Sequence, residues 1–265
     1  MWFLISVALA KDIVIQPNGT NDALRDAIKR SESGDRIVLQ QGTYAECVTN
    51  LGKDIILFGE NDAQITGNGS CKALLTVPSG EVWVQNLRFQ HKNTCIVVEN
   101  RGSVLQIEGS QFVACGNNRS KGGAIRSDGG KLEIRKSRFS KNNGEKGGGI
   151  HAKNAVITIT DSIFSDNMGQ IGGAIYSEQS EVTLNKTRIF GNNTRSGGFG
   201  AGIAGRNRTI LKLYDVTLQS NHAQGKGGAI YLDTSSLNLI NKLEIKGSDF
   251  SDNSASFGSS TGGAI

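Results

Sequence analysis

The sequence predicts an all-β fold, a right-handed single-stranded parallel β-helix (solenoid) with a short N-terminal capping helix. Three observations carry this prediction: an apolar triplet that recurs every 23 to 32 residues, an asparagine three residues after most triplets, and a glycine-rich block downstream. Each unit holds short strands and no apolar period of helix length, so it can bury its apolar face only against its neighbours. Stacked copies would form a continuous core.

Residues 1–10 are expected to be a signal peptide. A short apolar stretch ends in Ala8-Leu9-Ala10, and small residues in this pattern precede a cleavage site. A buried first strand is the alternative, because the basic residues that usually open a signal peptide are missing. If the signal peptide is correct, the protein is secreted, extracellular or displayed on the cell surface, and disulfides are allowed.

Residues 11–35 are expected to form an N-terminal cap. The segment 21–29 begins with Asn21-Asp22 and has apolar residues at 24, 27 and 28, which predicts a short amphipathic helix. Such a helix would cover the apolar, unpaired end of the solenoid. The first strand is predicted at Ile37-Val38-Leu39, and residues 36–265 read as one parallel β-helix without a further boundary.

The apolar triplet consists of an apolar residue, another two later, and a large apolar residue five after that. This spacing predicts strands with one inward face, and stacking would place the third members in one ladder. A leucine-rich horseshoe is disfavoured, because it needs closely spaced leucines and a helical turn in each unit. The seven copies are Val82/Val84/Phe89, Leu105/Ile107/Phe112, Leu132/Ile134/Phe139, Ile157/Ile159/Phe164, Val182/Leu184/Ile189, Leu211/Leu213/Leu218 and Leu243/Ile245/Phe250.

The recurrent asparagine is expected to form a ladder in which each side-chain amide bonds the copies above and below. The glycine blocks, such as Gly172-Gly173-Ala174-Ile175, would supply turn conformations and a close approach of coils. The distance from asparagine to glycine block varies most, so insertions collect in one surface turn, by drift or as a binding face. The largest insertions are at residues 193–199, 231–242 and 254–261. The ladder members are Asn142, Asn167, Asn192, Asn221 and Asn253.

The four cysteines all lie in the first half of the chain, without a CxxC pair or a Cys/His cluster, so no zinc site is expected. Cys47 and Cys71 are one coil apart, which can place them on neighbouring strands about 4.8 Å apart. Cys115 occupies the ladder position of its repeat, and Cys95 lies in the preceding turn. We therefore expect the disulfides Cys47–Cys71 and Cys95–Cys115.

Two family resemblances cover most of the chain. The segment from Leu24 to Tyr44, with G-D-R-I-V-L-Q-Q-G-T-Y after the helix, resembles the entry of the pectin-lyase-like right-handed β-helix superfamily. The recurrent F-x-x-N and G-G-A-I motifs from Phe112 to Ile265 resemble those of the chlamydial polymorphic membrane proteins. The second resemblance implies a surface-exposed passenger that acts in adhesion or as a surface antigen, although the translocating barrel of that family is missing from this sequence. Fold resemblance does not settle function.

Composition excludes several classes. Hydrophobic residues make up 37% and charged residues 20%, which is not the composition of a disordered chain. The net charge is +5, but the basic residues are scattered without basic runs or interleaved aromatics, so nucleic acid is not an expected partner. Past the N-terminus, no apolar run approaches the ~20 residues of a membrane helix.

A converging active site would show as acidic residues at equivalent positions of adjacent coils, and no such set emerges. The three histidines fall at different phases of the repeat. We therefore expect a secreted or surface-displayed structural or adhesive module without catalysis, catalytic residue, metal or cofactor; the alternative is a polysaccharide lyase or hydrolase. Expected partners are other extracellular or surface proteins, glycans, or further copies. The residues weighed are Asp161, Asp166, Asp215, Asp249, Asp252, His91, His151 and His222.

Sequons for N-glycosylation occur at six asparagines, which would carry glycans only in a eukaryotic source. Asn192 is also a ladder member, and a buried ladder amide cannot carry a sugar. The remaining candidates are Asn18, Asn68, Asn118, Asn185 and Asn207.

The sequence stops at Ile265 after a glycine block, without a polar or helical cap. Because terminal solenoid repeats need capping, the expectation is a longer native polypeptide or end-to-end assembly.

Overall fold

The computed structural model describes residues 10–19, 22–48, 51–67, 71–234, 238–257 and 260–262. The described chain winds into a parallel β-helix, which confirms the predicted fold class. Residues 1–9, the body of the expected signal peptide, lie outside the described residues. No helix among the described residues is long and apolar enough to cross a membrane.

Four sheets run along the solenoid axis. Sheet A contains β1 (Asp12–Ile15), β2 (Arg36–Leu39), β4 (Ile55–Gly59), β7 (Glu81–Gln85), β10 (Val104–Glu108), β13 (Lys131–Arg135), β16 (Val156–Thr160), β20 (Glu181–Asn185), β24 (Ile210–Tyr214) and β28 (Lys242–Lys246). Sheet B contains β3 (Thr43–Ala45), β5 (Gln64–Thr66), β8 (Arg88–Gln90), β11 (Gln111–Val113), β14 (Arg138–Ser140), β17 (Ile163–Ser165), β21 (Arg188–Phe190), β25 (Thr217–Gln219) and β29 (Asp249–Ser251).

Sheet C contains β6 (Ala73–Val77), β9 (Thr94–Val98), β12 (Ile125–Asp128), β15 (Ile150–Lys153), β19 (Ile175–Glu178), β23 (Ile203–Arg206) and β27 (Ile230–Asp233). Sheet D contains β18 (Met168–Ile171), β22 (Asn193–Phe199), β26 (His222–Ala223), β30 (Ser254–Phe257) and β31 (Ser260–Gly262). The neighbours in each sheet pair in parallel except β30 and β31, which are antiparallel.

The apolar triplets stack in register. Their first members pair along sheet A, for example Leu132 with Ile157. Their third members pair along sheet B, where the rings of Phe112 and Phe139 are parallel with centroids 4.7 Å apart, and Phe139 and Phe164 lie 4.5 Å apart. These side chains are fully buried and form the continuous core that the repeat predicted.

The recurrent asparagines stack at the end of sheet B. The side-chain amide of Asn167 donates to Oδ1 of Asn192 at 2.9 Å and to the carbonyl of Phe139 at 3.0 Å. The same pattern links Asn142 to Asn167, Asn192 to Asn221, and Asn221 to Asn253. Each buried amide therefore has partners on adjacent coils, which satisfies groups that would otherwise be costly to bury.

The N-terminal cap contains α1 (Ala23–Arg30), whose buried face is Leu24, Ala27 and Ile28. The Glu46 carboxylate accepts the N–H groups of Leu24 and Arg25, each at 2.9 Å. Negative charge at a helix N-terminus is favourable, so a distant residue fixes the start of this helix.

Two expectations about the elements were wrong. The first strand is β1 rather than Ile37–Leu39, because Asp12–Ile15 pairs in parallel with Arg36–Leu39. The insertion at residues 193–199 was expected to be a surface turn, but it forms β22 and pairs with β18. In both places, backbone pairing with a neighbouring coil determines the structure of a segment that lacks the apolar triplet.

The cysteines are paired within the first half of the solenoid. Cys47 bonds Cys71 with a Cα separation of 6.0 Å, and Cys95 bonds Cys115 with a Cα separation of 5.8 Å. Cys95 and Cys115 are fully buried in the core. The backbone N–H of Cys115 donates to Oδ1 of Asn142 at 2.9 Å, so this disulfide abuts the first rung of the asparagine ladder.

Candidate functional site: a basic groove on sheet C

The glycine blocks set the direction of the side chains in sheet C. The isoleucine that ends each block is buried in the core, as Ile125, Ile150 and Ile175 are. Because side chains alternate along a strand, the next residue points away from the core. The register pairs Arg126 with His151 and His151 with Tyr176, so these three side chains form one outward row.

A second outward row lies two residues further along the same strands. It contains Asp128, Lys153 and Glu178, which pair in register across β12, β15 and β19. A third row comes from the turn that precedes the glycine blocks. There, isolated parallel bridges align Lys121 with Lys146 and Lys146 with Ile171.

The three rows enclose a depression of about 360 Å³. A second depression, of about 650 Å³, adjoins it and shares Lys121 and Arg126. We call the two together the basic groove. The first is lined by Lys121, Arg126, Asp128, Lys146, His151, Lys153, Asn154 and Glu178. The second is lined by Lys72, Asn93, Thr94, Asn117, Asn118, Arg119, Ser120, Lys121 and Arg126.

Charge in the basic groove is strongly one-sided. Its lining carries six cationic side chains and two carboxylates, Asp128 and Glu178, which leaves four positive charges in excess. The six are Lys72, Arg119, Lys121, Arg126, Lys146 and Lys153. A cleft lined by one sign of charge attracts ligands of the opposite sign, so the groove suits a polyanion.

His151 is a buried polar side chain without a hydrogen-bond partner at Nδ1, and only 3% of its surface is exposed. Its imidazole stacks on the Tyr176 ring at 5.3 Å, and Nδ1 lies 4.0 Å from Oδ1 of Asp128. Burial lowers the pKa of His151 to about 4; Asp128 opposes this shift, while Lys146, Arg126 and Lys121 add to it. The imidazole is therefore neutral at neutral pH.

The neighbours of His151 are held in place by ionic and hydrogen bonds. Asp128 forms an ion pair with Arg126 on the same strand. The Tyr176 hydroxyl donates to Oε2 of Glu178 at 3.1 Å, and Lys146 Nζ lies 5.2 Å from the centroid of the Tyr176 ring. Burial, followed by the charge of Glu178, raises the pKa of Tyr176, so its phenol keeps its proton.

The acidic residues weighed from the sequence are not among the residues that line the basic groove. Four of them, Asp161, Asp166, Asp215 and Asp252, adopt a left-handed backbone conformation, which asparagine and aspartate tolerate in turns. Asp249 is exposed at the start of β29. Within the described residues, no three His, Cys, Asp or Glu side chains group as a metal site would require.

The other two histidines lie away from the groove lining. His91 is buried, and its Nε2 lies 3.0 Å from the carbonyl oxygen of Cys71. His222 lies in β26 with Nδ1 2.7 Å from the Ser254 hydroxyl. Of the three histidines, His151 is the one that lines a groove.

The sequon asparagines are scattered over the surface. Asn18 and Asn118 are exposed, Asn185 and Asn207 are half-buried, and Asn68 lies outside the described residues. Asn118 lines the basic groove, so a glycan there would compete with a ligand. Asn192 is fully buried in the ladder.

The groove is not visible in the pattern of acidic residues or in the phase of the three histidines. The signal that could have found it is the residue after the isoleucine of each glycine block. In three successive repeats that residue is arginine, histidine and then tyrosine, whereas a surface that only contacts solvent does not require these residue types. The lysines at 121 and 146 immediately precede two of the same blocks.

Comparison with known families places the chain in a class. A family model described as the right-handed β-helix region matches residues 63–265. The chain therefore belongs to the right-handed β-helix family. No curated protein sequence matches it.

Solved structures similar to this chain include an alginate lyase and a pectate lyase. The PL6 family alginate lyase AlyGC has a TM-score of 0.54 at 16% identity, over 91% of this chain and 39% of that chain. A single-substitution mutant of the same enzyme gives a TM-score of 0.55, also at 16% identity over 91% of this chain and 39% of that chain. The pectate lyase Pel9A has a TM-score of 0.41 at 10% identity, over 92% of this chain and 79% of that chain.

The expectation of a structural or adhesive module without catalysis is contradicted. The solved structures reported above with a TM-score over 0.5 are of an alginate lyase, and nothing in the comparisons supports a structural or adhesive role. The likeness to the alginate lyase, with a TM-score of 0.54 at 16% identity, shows a common fold alone. The chemistry has to be argued from the residues of the basic groove.

Proposed function

We propose that this protein binds an acidic polysaccharide in the basic groove and cleaves it by β-elimination. The observation that carries the proposal is the groove itself, with six cations and two carboxylates around a neutral buried imidazole. A uronate polymer carries one carboxylate on each acidic sugar, so it complements this charge along several coils.

The first requirement of β-elimination is a neutralised carboxylate. The proton on the carbon next to a carboxylate becomes acidic only when nearby positive charge stabilises the carbanion that forms. Lys121 and Arg126 line both depressions and lie on the coil before His151. We assign them to the carboxylate of the sugar that is cleaved.

The second requirement is a base, and His151 is the neutral candidate in the groove. Its Nδ1 has no partner, and its lowered pKa keeps it able to accept a proton at neutral pH. A bound carboxylate would offset the charges of Lys146, Arg126 and Lys121, which lower the pKa of free His151. Substrate binding therefore strengthens this base.

The third requirement is a proton for the leaving oxygen, and Lys146 can supply it. His151 removes the C5 proton, the electron pair forms the C4–C5 double bond, and the bond from C4 to the glycosidic oxygen breaks. The Lys146 ammonium then donates a proton to that oxygen. The products are one chain with a new unsaturated end and one with a new hydroxyl.

Hydrolysis by a carboxylate pair fits the groove less well. Asp128 and Glu178 lie in one row with Lys153 between them, so their backbones are about 10 Å apart. A glycosidase needs one carboxyl group free to donate a proton and a second one free to activate water or to attack the sugar. Asp128 is also bound to Arg126, and Glu178 accepts the Tyr176 hydroxyl.

We further propose that the protein acts outside the cytosol. Its two disulfides fit an oxidising compartment. Secretion through residues 1–10 is part of the same proposal, and alginates and pectates are the first substrates to try.

The test is a panel of uronate polymers, with and without Ca²⁺, followed by the ultraviolet absorbance of the unsaturated product. Wild type should bind and cleave at least one polymer. His151→Gln should lose at least about a hundredfold in kcat, as general-base removal does, while still binding. His222→Gln is the matched control and should retain activity. Absence of both binding and cleavage on the whole panel would refute the proposal.

A further inference from the structure

The basic groove is asymmetric along the solenoid axis. The turn row contributes Lys121 and Lys146 on two successive coils, but the next two positions in register are Ile171 and Phe199. A cation returns to this row only at Lys226, whose carbonyl accepts the N–H of Gly200. The lysine row therefore has a gap of two coils immediately after His151.

The other rows place one cation in that gap, Arg206, which is in register with Glu178, and its charge is paired. The coil after His151 presents Tyr176 and Glu178 in sheet C, so its side chains in the three rows include one carboxylate and no cation. One coil further, Arg206 forms an ion pair with Asp233 at 3.2 Å. Ala204 occupies the outward row there, in register with Tyr176.

The coils before His151 differ in the charge of their side chains. Lys72, Arg119 and Lys121 are exposed, and with the half-buried Arg126 they line the larger depression. This depression contains no carboxylate side chain in its lining. A sugar carboxylate bound there meets positive charge, whereas one bound beside Ile171 and Glu178 would be desolvated next to a negative charge.

We propose that the groove requires acidic sugars on the Lys121 side of His151 and accepts an uncharged sugar on the Tyr176 side. This inference rests on the proposed function and identifies its substrate class as a polysaccharide in which acidic and neutral sugars are joined. Ile171 is the residue that determines specificity, because it interrupts the lysine row at the first coil past His151.

The experiment uses defined oligosaccharides in which the sugar that loses its C5 proton stays a uronate, and one neutral sugar replaces a uronate at each of the other positions in turn. Replacing a uronate that binds on the Lys121 side should lower kcat/KM by at least about tenfold, which is the effect of losing one charge-assisted contact. Replacement on the other side should change kcat/KM less than about threefold, or raise it. Equal losses on both sides would overturn the inference.

Ile171→Lys provides the matched gain of charge. It extends the row of Lys121 and Lys146 by one coil, so uronate should become favoured on the tolerant side and the asymmetry should shrink. Met168→Lys adds the same charge on the same strand, at an exposed position that does not line the groove, and should leave the asymmetry unchanged. An unaltered asymmetry in Ile171→Lys would also count against the inference.

Failure of the proposed function and failure of the inferred asymmetry give different results. If no uronate oligosaccharide is bound or cleaved, the proposed function itself is wrong. If homopolymers are cleaved and the neutral sugar has no positional effect, the groove is a lyase site without the asymmetry inferred here.

Discussion

His151 combines burial, an unpartnered nitrogen and three cationic neighbours, and it should make stability depend on pH. Its pKa is about 4 in the folded protein and 6.5 in an unfolded chain. Between these values the unfolded chain binds the proton first, so stability falls as pH drops from 6.5 to 4. The stability lost is on the order of 3 kcal/mol.

Chemical denaturation of wild type and His151→Gln across this pH range measures the effect. The variant should lose less stability than wild type, by up to that amount, whereas His222→Gln should follow wild type. Parallel curves for wild type and His151→Gln would show that His151 does not titrate as its burial requires.

At the residue scale, a role could be predicted where the same residue type recurs at equivalent positions of successive repeats. The positions of Asn142, Asn167 and Asn192 recur, so a ladder could be expected, and the structure bonds them as one. Apart from Lys121 and Lys146, the groove side chains repeat in position but not in identity. A search by residue type therefore could not find Arg126 and His151 as neighbours, although the block spacing places them in one row.

Glycine can be required for two reasons, a left-handed backbone conformation or the close approach of other backbone atoms. A glycine in one of the blocks and a glycine in β22 distinguish the two reasons. Gly147 and Gly197 both have φ of +69°. A Cβ on Gly147 would overlap the carbonyl oxygen of Ile150, whereas nothing lies within 4 Å of a Cβ on Gly197. Gly147 needs glycine for conformation and for close approach, while Gly197 needs it for conformation alone.

We therefore expect Gly197→Ala to lower the free energy of unfolding by about 1–2 kcal/mol, the cost of a left-handed alanine. Gly147→Ala should cost clearly more, because the backbone of the turn must also move. Urea unfolding of the two variants measures the difference. Equal losses would mean that the block is selected for backbone conformation only.

At the element scale, the apolar triplet predicts strands wherever it occurs. It cannot predict strands that lack it and form through backbone pairing with a neighbouring coil, such as β1 and β22. β1 has two buried isoleucines, but α1 lies between β1 and β2 in the chain, so the local sequence does not show that the two strands pair. β22 contains two glycines and few apolar residues, yet its register with β18 places Phe199 beside Ile171. Such strands depend on neighbouring coils that the local sequence does not encode.

At the scale of the whole molecule, the solenoid is stabilised in different ways along its length. Both disulfides lie between residues 47 and 115, whereas the asparagine ladder runs from Asn142 to Asn253. In a solenoid each coil contacts only its neighbours, so stability is close to a sum of local contributions. Removal of the disulfides should therefore act locally.

Hydrogen exchange with and without reductant tests this arrangement. A disulfide closing a loop of about 20 residues contributes about 3 kcal/mol, so reduction should speed the exchange of protected amides in β6 to β11 by about a hundredfold. The amides of β15 to β24 should exchange at unchanged rates, because the ladder and the phenylalanine stack hold those coils without cysteine. A Cys95→Ser/Cys115→Ser variant should reproduce part of the effect in the same strands without reductant. A uniform rise along the whole chain would show instead that the coils unfold as one cooperative unit, and the basic groove between the two halves would then depend on the disulfides for its shape.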